Sequence, residues 1–413
     1  MTAAPGPGPG PANGPAAAGR PGRLTAALFA GGIATFAELY AVQAVLPGLA
    51  AEFGLTESQA TLAVSVATGA LALSVLPWAA WGDRVGRARA MRASAIVAAI
   101  SGLLVALAPT FTLLLVVRAI SGAALGALPA LAVAHLVSSA PPARVAGIGG
   151  LYIAGTTIGG LSGRVLTGAV GGLFGWRWGL VTTAVFVAVA AAVFAVLLDS
   201  GPRSRRPTGA GAGQWARVRL ALADRVVWVF YAQAFLLMGA FVTVYNLLSF
   251  RLLGDPYRLP ASVVSLLFLT YLVGTVSSSG VGRLVAALGR RRVLAGAGAT
   301  MAVGAAITLA APLWWILTGL ILLTLSFFVA HAIAATWAGE RVPAARSQAS
   351  AVYSLAYYAG SSLVGLAGAA LYARFGWSGS TALVVASTGT AAVVAFLGAP
   401  RPEPGVVRPS SPS

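Results

Sequence analysis

Phe174-Gly175-Trp176 returns later in the chain as Phe375-Gly376-Trp377, and the same offset of 201 residues carries Tyr152 onto Tyr353. A short basic loop, Gly86-Arg87-Ala88-Arg89, returns as Gly289-Arg290-Arg291-Arg292 at an offset of 203. Val133-Ala134-His135 returns as Val329-Ala330-His331 at 196. Over its 413 residues the chain says nearly the same thing twice. Two membrane halves related by an internal repeat are a common plan for carriers, because the substrate site forms between the halves.

The composition around the repeat identifies the solvent. Hydrophobic residues make up 58% of the chain and charged residues 9%, whereas a soluble domain carries roughly 25% charged residues. A spanning helix needs about 20 apolar residues. Twelve stretches meet that need: 24–47, 59–81, 90–108, 111–137, 146–171, 178–198, 226–250, 261–285, 293–310, 313–338, 347–372 and 378–398. The 51 Gly and 23 Pro are better tolerated in a lipid-embedded bundle than in soluble helices. An all-α membrane protein with twelve transmembrane helices is expected.

Residues 24–198 and 226–398 then form two halves, joined by a linker at 199–225 that holds six Arg. The tails 1–23 and 399–413, rich in Pro with Gly, Ala or Ser, are expected to be disordered. Arg20 and Arg23 resemble the basic start of a signal peptide. An apolar stretch of about 24 residues exceeds the usual 7–15 of such a segment, so it reads as an uncleaved first helix.

The net charge of +18 comes from 27 Arg and no Lys, against nine acidic residues. With both termini inside, twenty-one Arg fall in inner loops and tails, and only Arg177, Arg251, Arg258 and Arg374 fall outside. Arg118 and Arg164 lie within spans. This is the positive-inside pattern of a multi-pass protein of the cytoplasmic membrane with both termini cytoplasmic. The excess charge is explained by topology, not by nucleic acid. The absence of Cys excludes disulfides, thiol chemistry and Cys-ligated metals. His135 and His331, alone at matched sites near inner helix ends, read as structural, so no metal and no cofactor is expected.

The loop after the second span reads Ala79-Ala80-Trp81-Gly82-Asp83-Arg84-Val85-Gly86-Arg87-Ala88-Arg89. It resembles the signature of the major facilitator superfamily, Gly-x-x-x-Asp-Arg/Lys-x-Gly-Arg-Arg/Lys, with Ala79 in place of the leading Gly. The second copy keeps that Gly as Gly282 but has Ala286 where the Asp belongs. Arg118-Ala119-Ile120-Ser121-Gly122 resembles the Arg-x-x-x-Gly motif of the proton-coupled branch. Gly155 to Arg164 partly resembles the antiporter motif Gly-x-x-x-Gly-Pro-x-x-Gly-Gly, with Gly160 replacing the Pro and Arg164 the last Gly. Tyr40-Ala41-Val42-Gln43, Val244-Tyr245-Asn246 and the run from Gln348 to Ser362 are similar to the YnfM-type subgroup of exporters. The resemblance spans about residues 24–398. It implies two pseudo-symmetric six-helix bundles that rock about a central cavity, and proton exchange for an exported compound. It also implies that Asp83, Arg84, Gly86 and Arg87 form a cytoplasmic gate.

Of the nine acidic residues only Glu38 falls within the membrane, about 21 Å along the first helix at 1.5 Å per residue. Arg118 and Arg164 sit about 10 Å below the outer ends of their helices by the same rise, in the same layer. A charge at a helix centre costs about 2.5–3.5 kcal/mol to insert. Several Leu or Val at roughly −0.3 to −0.6 kcal/mol each offset one such cost, so insertion alone does not establish function. The bland alternative is that both Arg snorkel outward or pair with carbonyls. The sharper reading makes Glu38 the proton carrier, with Arg118 or Arg164 as its partner. An approaching Arg favours the charged carboxylate, and its withdrawal lets the proton bind.

Gly155, Gly159 and Gly163 recur every four residues on one helix face, the pattern of close helix packing. Tyr40, Gln43, Tyr152, Gln233, Tyr245, Asn246, Tyr357 and Tyr358, with Tyr231 and Tyr353, are the span residues expected to touch a substrate, although interhelical hydrogen bonding explains any single one as well. No Walker-type loop is possible without Lys, so an ion gradient is the expected energy source.

The first reading is a proton-linked exporter of a small organic compound, acting as a monomer in the lipid bilayer. The alternative is an uptake permease or facilitator, and two buried Arg against one Glu suit an anionic or neutral cargo. A membrane-embedded enzyme or receptor lacks His clusters, paired carboxylates and a soluble domain.

Overall fold

A backbone in lipid must satisfy its own hydrogen bonds, and the computed structural model, which describes residues 21–199 and 210–400, does so with helices. The first half holds α1 (Pro21–Ala41), α2 (Leu46–Phe53), α3 (Glu57–Val85), α4 (Arg87–Leu107), α5 (Phe111–Leu125), α6 (Ala127–Ser139), α7 (Pro142–Phe174) and α8 (Trp176–Leu197). The linker carries α9 (Ala210–Ala223). The second half holds α10 (Arg225–Leu253), α11 (Ala261–Ser265), α12 (Tyr271–Leu288), α13 (Arg290–Ile307), α14 (Leu313–Arg341) and α15 (Arg346–Gly398).

Among the described residues, nine continuous segments are long and apolar enough to cross a membrane. The last of them contains two expected spans, because α15 doubles back at Gly376, whose φ of 64° is non-helical. The expected span 261–285 is divided by a 3-10 turn at Leu266–Thr270. α13 runs for 18 residues and opens with three Arg, so its apolar stretch is short.

Two expected boundaries move. Helix α1 begins at Pro21, inside the tail expected over 1–23, and residues 1–20 lie outside the described residues. The linker contains a helix, α9, and Asp224 caps α10 by accepting from the Val226 N–H, so the linker closes one residue early. At the other end α15 closes at Gly398 with Ala399 as its cap, and residues 401–413 lie outside the described residues.

The repeat has a backbone cause. Gly175 and Gly376 take φ of 91° and 64°, values at which a side chain would be strained, and each reverses the chain between two spans. The Trp that follows each glycine then anchors the turn: Trp176 donates to Glu52 Oε2 at 2.5 Å and Trp377 to the Thr308 carbonyl at 3.1 Å.

Within the first half α1 packs against α7 and α8. A Cβ on Gly155, Gly159 or Gly163 would stand 2.4–2.5 Å from the carbonyl oxygens of Phe29, Ile33 and Ala37, so only glycine lets these two backbones meet. Outward-facing residues such as Leu73, Ile96, Ile100, Val185 and Val189 are exposed and apolar, as a lipid-facing belt requires. We call the face bearing the ends of the described chain the terminal face and the opposite one the far face. The halves meet towards the far face: Ser362 donates to the Ser65 carbonyl at 2.9 Å, and Gly172 lies against Ser262.

Candidate transport site between the halves

Pro47 decides the local geometry of the first span. Its ring has no N–H and crowds the carbonyl four residues earlier, that of Gln43. The α-helix accordingly gives way to a 3-10 turn at Val42–Val45 before α2 resumes. At this break Arg118 of α5 inserts, donating from Nη1 to the Glu38 carbonyl at 3.2 Å and from Nη2 to the Leu39 carbonyl at 2.6 Å. Its Nε donates to the Ala63 carbonyl of α3 at 2.9 Å. The Glu38 carboxylate lies 3.6 Å from Arg118 Nη1 and accepts from Ser121 Oγ at 3.2 Å. Arg118 is 0% exposed and the Glu38 side chain 5%. Glu38 thus faces the interior of the first half, between α1, α4 and α5.

Arg164 goes elsewhere. From α7 it donates Nε to Gln43 Oε1 and Nη1 to the Gly160 carbonyl, both at 2.5 Å. Its guanidinium carbon lies 4.2 Å from the Tyr40 ring centre, 4.6 Å from that of Tyr271 and 5.4 Å from that of Phe268. Gln43 Nε2 in turn donates across the halves to Asn246 Oδ1 at 2.5 Å. No described carboxylate pairs with Arg164. Of the two partners weighed for Glu38, Arg118 is the one in contact.

The remaining polar span residues divide by half. Tyr245 bonds Thr270 and Thr324 at 2.6 and 2.7 Å, and its ring stacks on Phe268 behind the Arg164 cage. Gln233 donates to the Ala391 carbonyl at 2.6 Å and lines a crevice with Leu237, Phe327, His331, Tyr353 and Tyr357. Tyr358 meets Tyr357 edge-on at 5.1 Å. His331 Nδ1 and the Tyr353 hydroxyl lie 2.9 Å apart, which joins two repeated residues in one contact. Tyr152 is buried in an apolar cluster of the first half with Leu28 and Phe194.

In the basic loop, Gly86 turns the chain with φ of 99°. Asp83 pairs with Arg87 at 3.5 Å, and Arg87 donates to the Ala134 carbonyl of α6 at 2.9 Å, while Arg84 is exposed. The ties of Arg92, Arg290 and Arg341 at the terminal face likewise do not join the two halves. Arg92 reaches the Ala195 carbonyl, Arg290 pairs with Glu340, and Arg341 with Asp224.

The model of the Major Facilitator Superfamily matches residues 28–363 and 252–412 of the chain. This chain belongs to the Major Facilitator Superfamily. Superfamily relatives are similar over nearly their whole length. The inner membrane transport protein YnfM of Escherichia coli (strain K12) is 37% identical over 366 residues, covering 88% of this chain and 87% of that one. The MFS-type transporter YybF of Bacillus subtilis (strain 168) is 34% identical over 365 residues, covering 88% and 90%. Among solved structures, a bacterial homolog of the human lysosomal transporter Spinster, inward-facing and unoccupied, aligns with a TM-score of 0.75 at 17% identity, covering 92% and 95%. The D-xylose-proton symporter aligns with a TM-score of 0.75 at 17% identity, covering 92% and 98%. At such identities these structures speak for the fold alone.

The chain is therefore a multi-pass membrane transporter with the superfamily fold, and its relatives are transporters rather than enzymes. Within that fold, sequence reasoning missed Phe268, Tyr271 and Ser121. All three are uncharged span residues of types found throughout the chain, and no motif marks them. The one available signal was a buried Arg without a carboxylate, which demands other partners.

Proposed function

We propose that the chain is a secondary active transporter of the cytoplasmic membrane that exchanges protons for an exported small organic compound by alternating access. We place it in the YnfM-like subgroup of the proton-linked drug antiporter branch, with both termini cytoplasmic and one chain as the transport unit. The identity to YnfM and the concentration of Arg on the terminal face support that placement. A single chain holds both halves of the pathway, which supports the monomer.

The observation that carries the proposal is the ion pair of Glu38 and Arg118, buried in the span layer. A proton arriving on Glu38 cancels one charge of the pair and leaves Arg118 held by the carbonyls of Ala63, Glu38 and Leu39. Those carbonyls lie at the α1 break and on α3, so the charge state of Glu38 acts where the span bends. A 3-10 stretch inside a helix often marks such a hinge. The contacts of Gln43 with Asn246 and of Ser65 with Ser362 close the far face, while Asp83, Arg84 and Arg87 stay within the first half at the terminal face. This arrangement supports a state open towards the cytoplasm, with the Asp83 loop disengaged from its role as gate. One proton crossing 100 mV supplies about 2.3 kcal/mol, enough for roughly a 50-fold gradient of cargo.

The test is purified protein in liposomes with a pH-sensitive dye inside and an imposed pH gradient, comparing wild type with Glu38→Gln as candidate compounds are added. Compound-dependent proton flux that vanishes in Glu38→Gln is expected. Substrate movement without proton flux would make the chain a facilitator and overturn the coupling.

A further inference from the structure

Arg118 and Arg164 are both fully buried, yet they are finished differently. Arg118 meets three carbonyls and a carboxylate. Arg164 meets one amide oxygen, one carbonyl and three rings, with no acidic partner and no hydrogen bond from Nη2 among the described residues. A buried cation lacking a counter-charge is expensive unless something completes it.

The neighbouring amides point the same way. Arg164 has only donors, so Gln43 must turn its oxygen to it and its NH2 to Asn246. Asn246 must then turn its own oxygen to Gln43, which leaves Asn246 Nδ2 as the last donor of the chain. That nitrogen is buried, on a residue 0% exposed, with no acceptor among the described residues. Hydrogen bonds in such a chain polarise one another, so its N–H is a strengthened donor.

The internal repeat explains where the missing acceptor belongs. The offset of 203 carries Gln43 onto Asn246 and Ser65 onto Phe268, and that of 201 carries Arg164 onto Gly365. In one copy an Arg packs on a Phe; in the other a Gly faces a Ser. A Cβ on Gly365 would stand 3.7 Å from Val242 Cγ1 and 3.9 Å from both Asn246 Nδ2 and Ser65 Oγ, and neither polar atom has a hydrogen-bond partner among the described residues. Where pseudo-symmetry would place a long side chain beside Asn246 there is only a glycine, and two polar atoms without partners among the described residues face it.

We infer that this asymmetric site, formed by Arg164, Asn246, Ser65 and Gly365, binds the carboxylate of a small organic acid as cargo. Tyr40 and Tyr271 cover the guanidinium at 4.2 and 4.6 Å, so an anion reaches it at its edge, where a fork of N–H groups matches a planar carboxylate. Asn246 Nδ2 supplies a further donor, and the surrounding rings accept an apolar or aromatic body. The inference names the cargo class of the carrier proposed above and rests on that reading, but it does not depend on proton coupling.

The test uses calorimetric titration of the purified full chain in detergent at fixed pH. The probes are benzoate and hexanoate, each against its neutral amide, with sodium chloride as a control. Wild type is expected to bind at least one acid roughly tenfold or more tightly than its amide, about 1.4 kcal/mol. That preference is expected to disappear in Arg164→Gln and to fall in Asn246→Leu. Arg164→Lys, which keeps the charge but not the fork, is expected to retain part of it and serves if Arg164→Gln does not fold. Gly147→Ala, where a Cβ meets nothing within 4 Å, should keep the preference. Equal binding of acid and amide in both pairs would overturn the inference, as would a preference that survives Arg164→Gln or a site taken by chloride alone. Loss of proton coupling with the preference intact would sink only the coupling, and the reverse outcome only the cargo class.

Discussion

The Glu38 carboxylate stands 3.6 Å from Arg118 and rests against Gly102, where a Cβ would come within 2.4 Å of Glu38 Oε2. The pair therefore sits inside the first half, in a space that α4 leaves by having no side chain there. Arg164, at the junction of the halves, belongs to a separate polar group that reaches Asn246 through Gln43. The two buried arginines thus serve two different places.

Gly102→Ala should disturb the pair without removing a charge. The carboxylate is the end of a flexible side chain, so it can move aside, and the fold should survive with a modest fall in thermal stability. On the proposed coupling, proton-linked flux should drop by roughly tenfold, the equivalent of about 1.4 kcal/mol. Gly147→Ala, where a Cβ meets nothing within 4 Å, is the control. Equal flux in both variants would show that the position of Glu38 is unimportant.

Removing one partner of the pair should cost more than removing both. Arg118→Ala leaves Glu38 buried without its ion-pair partner, a loss of about 3–5 kcal/mol for a broken buried pair. The double variant Glu38→Leu with Arg118→Met should recover much of that stability while remaining inactive in proton-linked transport. Thermal unfolding in detergent together with liposome flux checks both halves of the statement. A double variant as unstable as Arg118→Ala would contradict it.

The far-face contact offers a lock. A Cβ on Gly69 would lie 3.8 Å from the Cβ of Ser362, within the range for a disulfide of about 3.5–4.5 Å. Because the chain has no Cys, Gly69→Cys with Ser362→Cys introduces the only thiols. Oxidation should join α3 to α15, hold the far face shut and stop transport, and reduction should restore it. Transport that continues at full rate in the oxidised protein would mean that these two helices do not separate during the cycle.

The glycine face of α7 should tolerate no side chain. Gly159→Val would drive a branched group into the Ile33 carbonyl, 2.4 Å from the Cβ position, and overpacking of this kind costs about 1–3 kcal/mol or more. The melting temperature should fall well below that of Gly150→Val, whose Cβ would meet nothing within 4 Å. Similar melting temperatures would show that α1 and α7 can part without loss.

Much of the architecture was legible before any coordinates. Apolar length located the spans, the offsets of 201 and 203 declared two halves, and counting charges isolated Glu38, Arg118 and Arg164. Those properties are local or additive along the chain, so reading them needs no knowledge of which helix faces which. The repeated glycines were visible for the same reason, since a turn at positive φ is a demand of the local backbone, met at Gly175 and again at Gly376. The break at Val42–Val45 follows from Pro47, yet its use as a seat for Arg118 does not, because the partner lies 80 residues away. Helices that are apolar on nearly every side carry little amphipathic signal to fix their rotation. The sequence therefore determined that one carboxylate and two arginines would share a layer of the membrane. Only the packing of α1 against α5 and α7, set by side-chain shape and glycine contacts across the bundle, decided that Glu38 meets Arg118 while Arg164 turns to Gln43 and the second half.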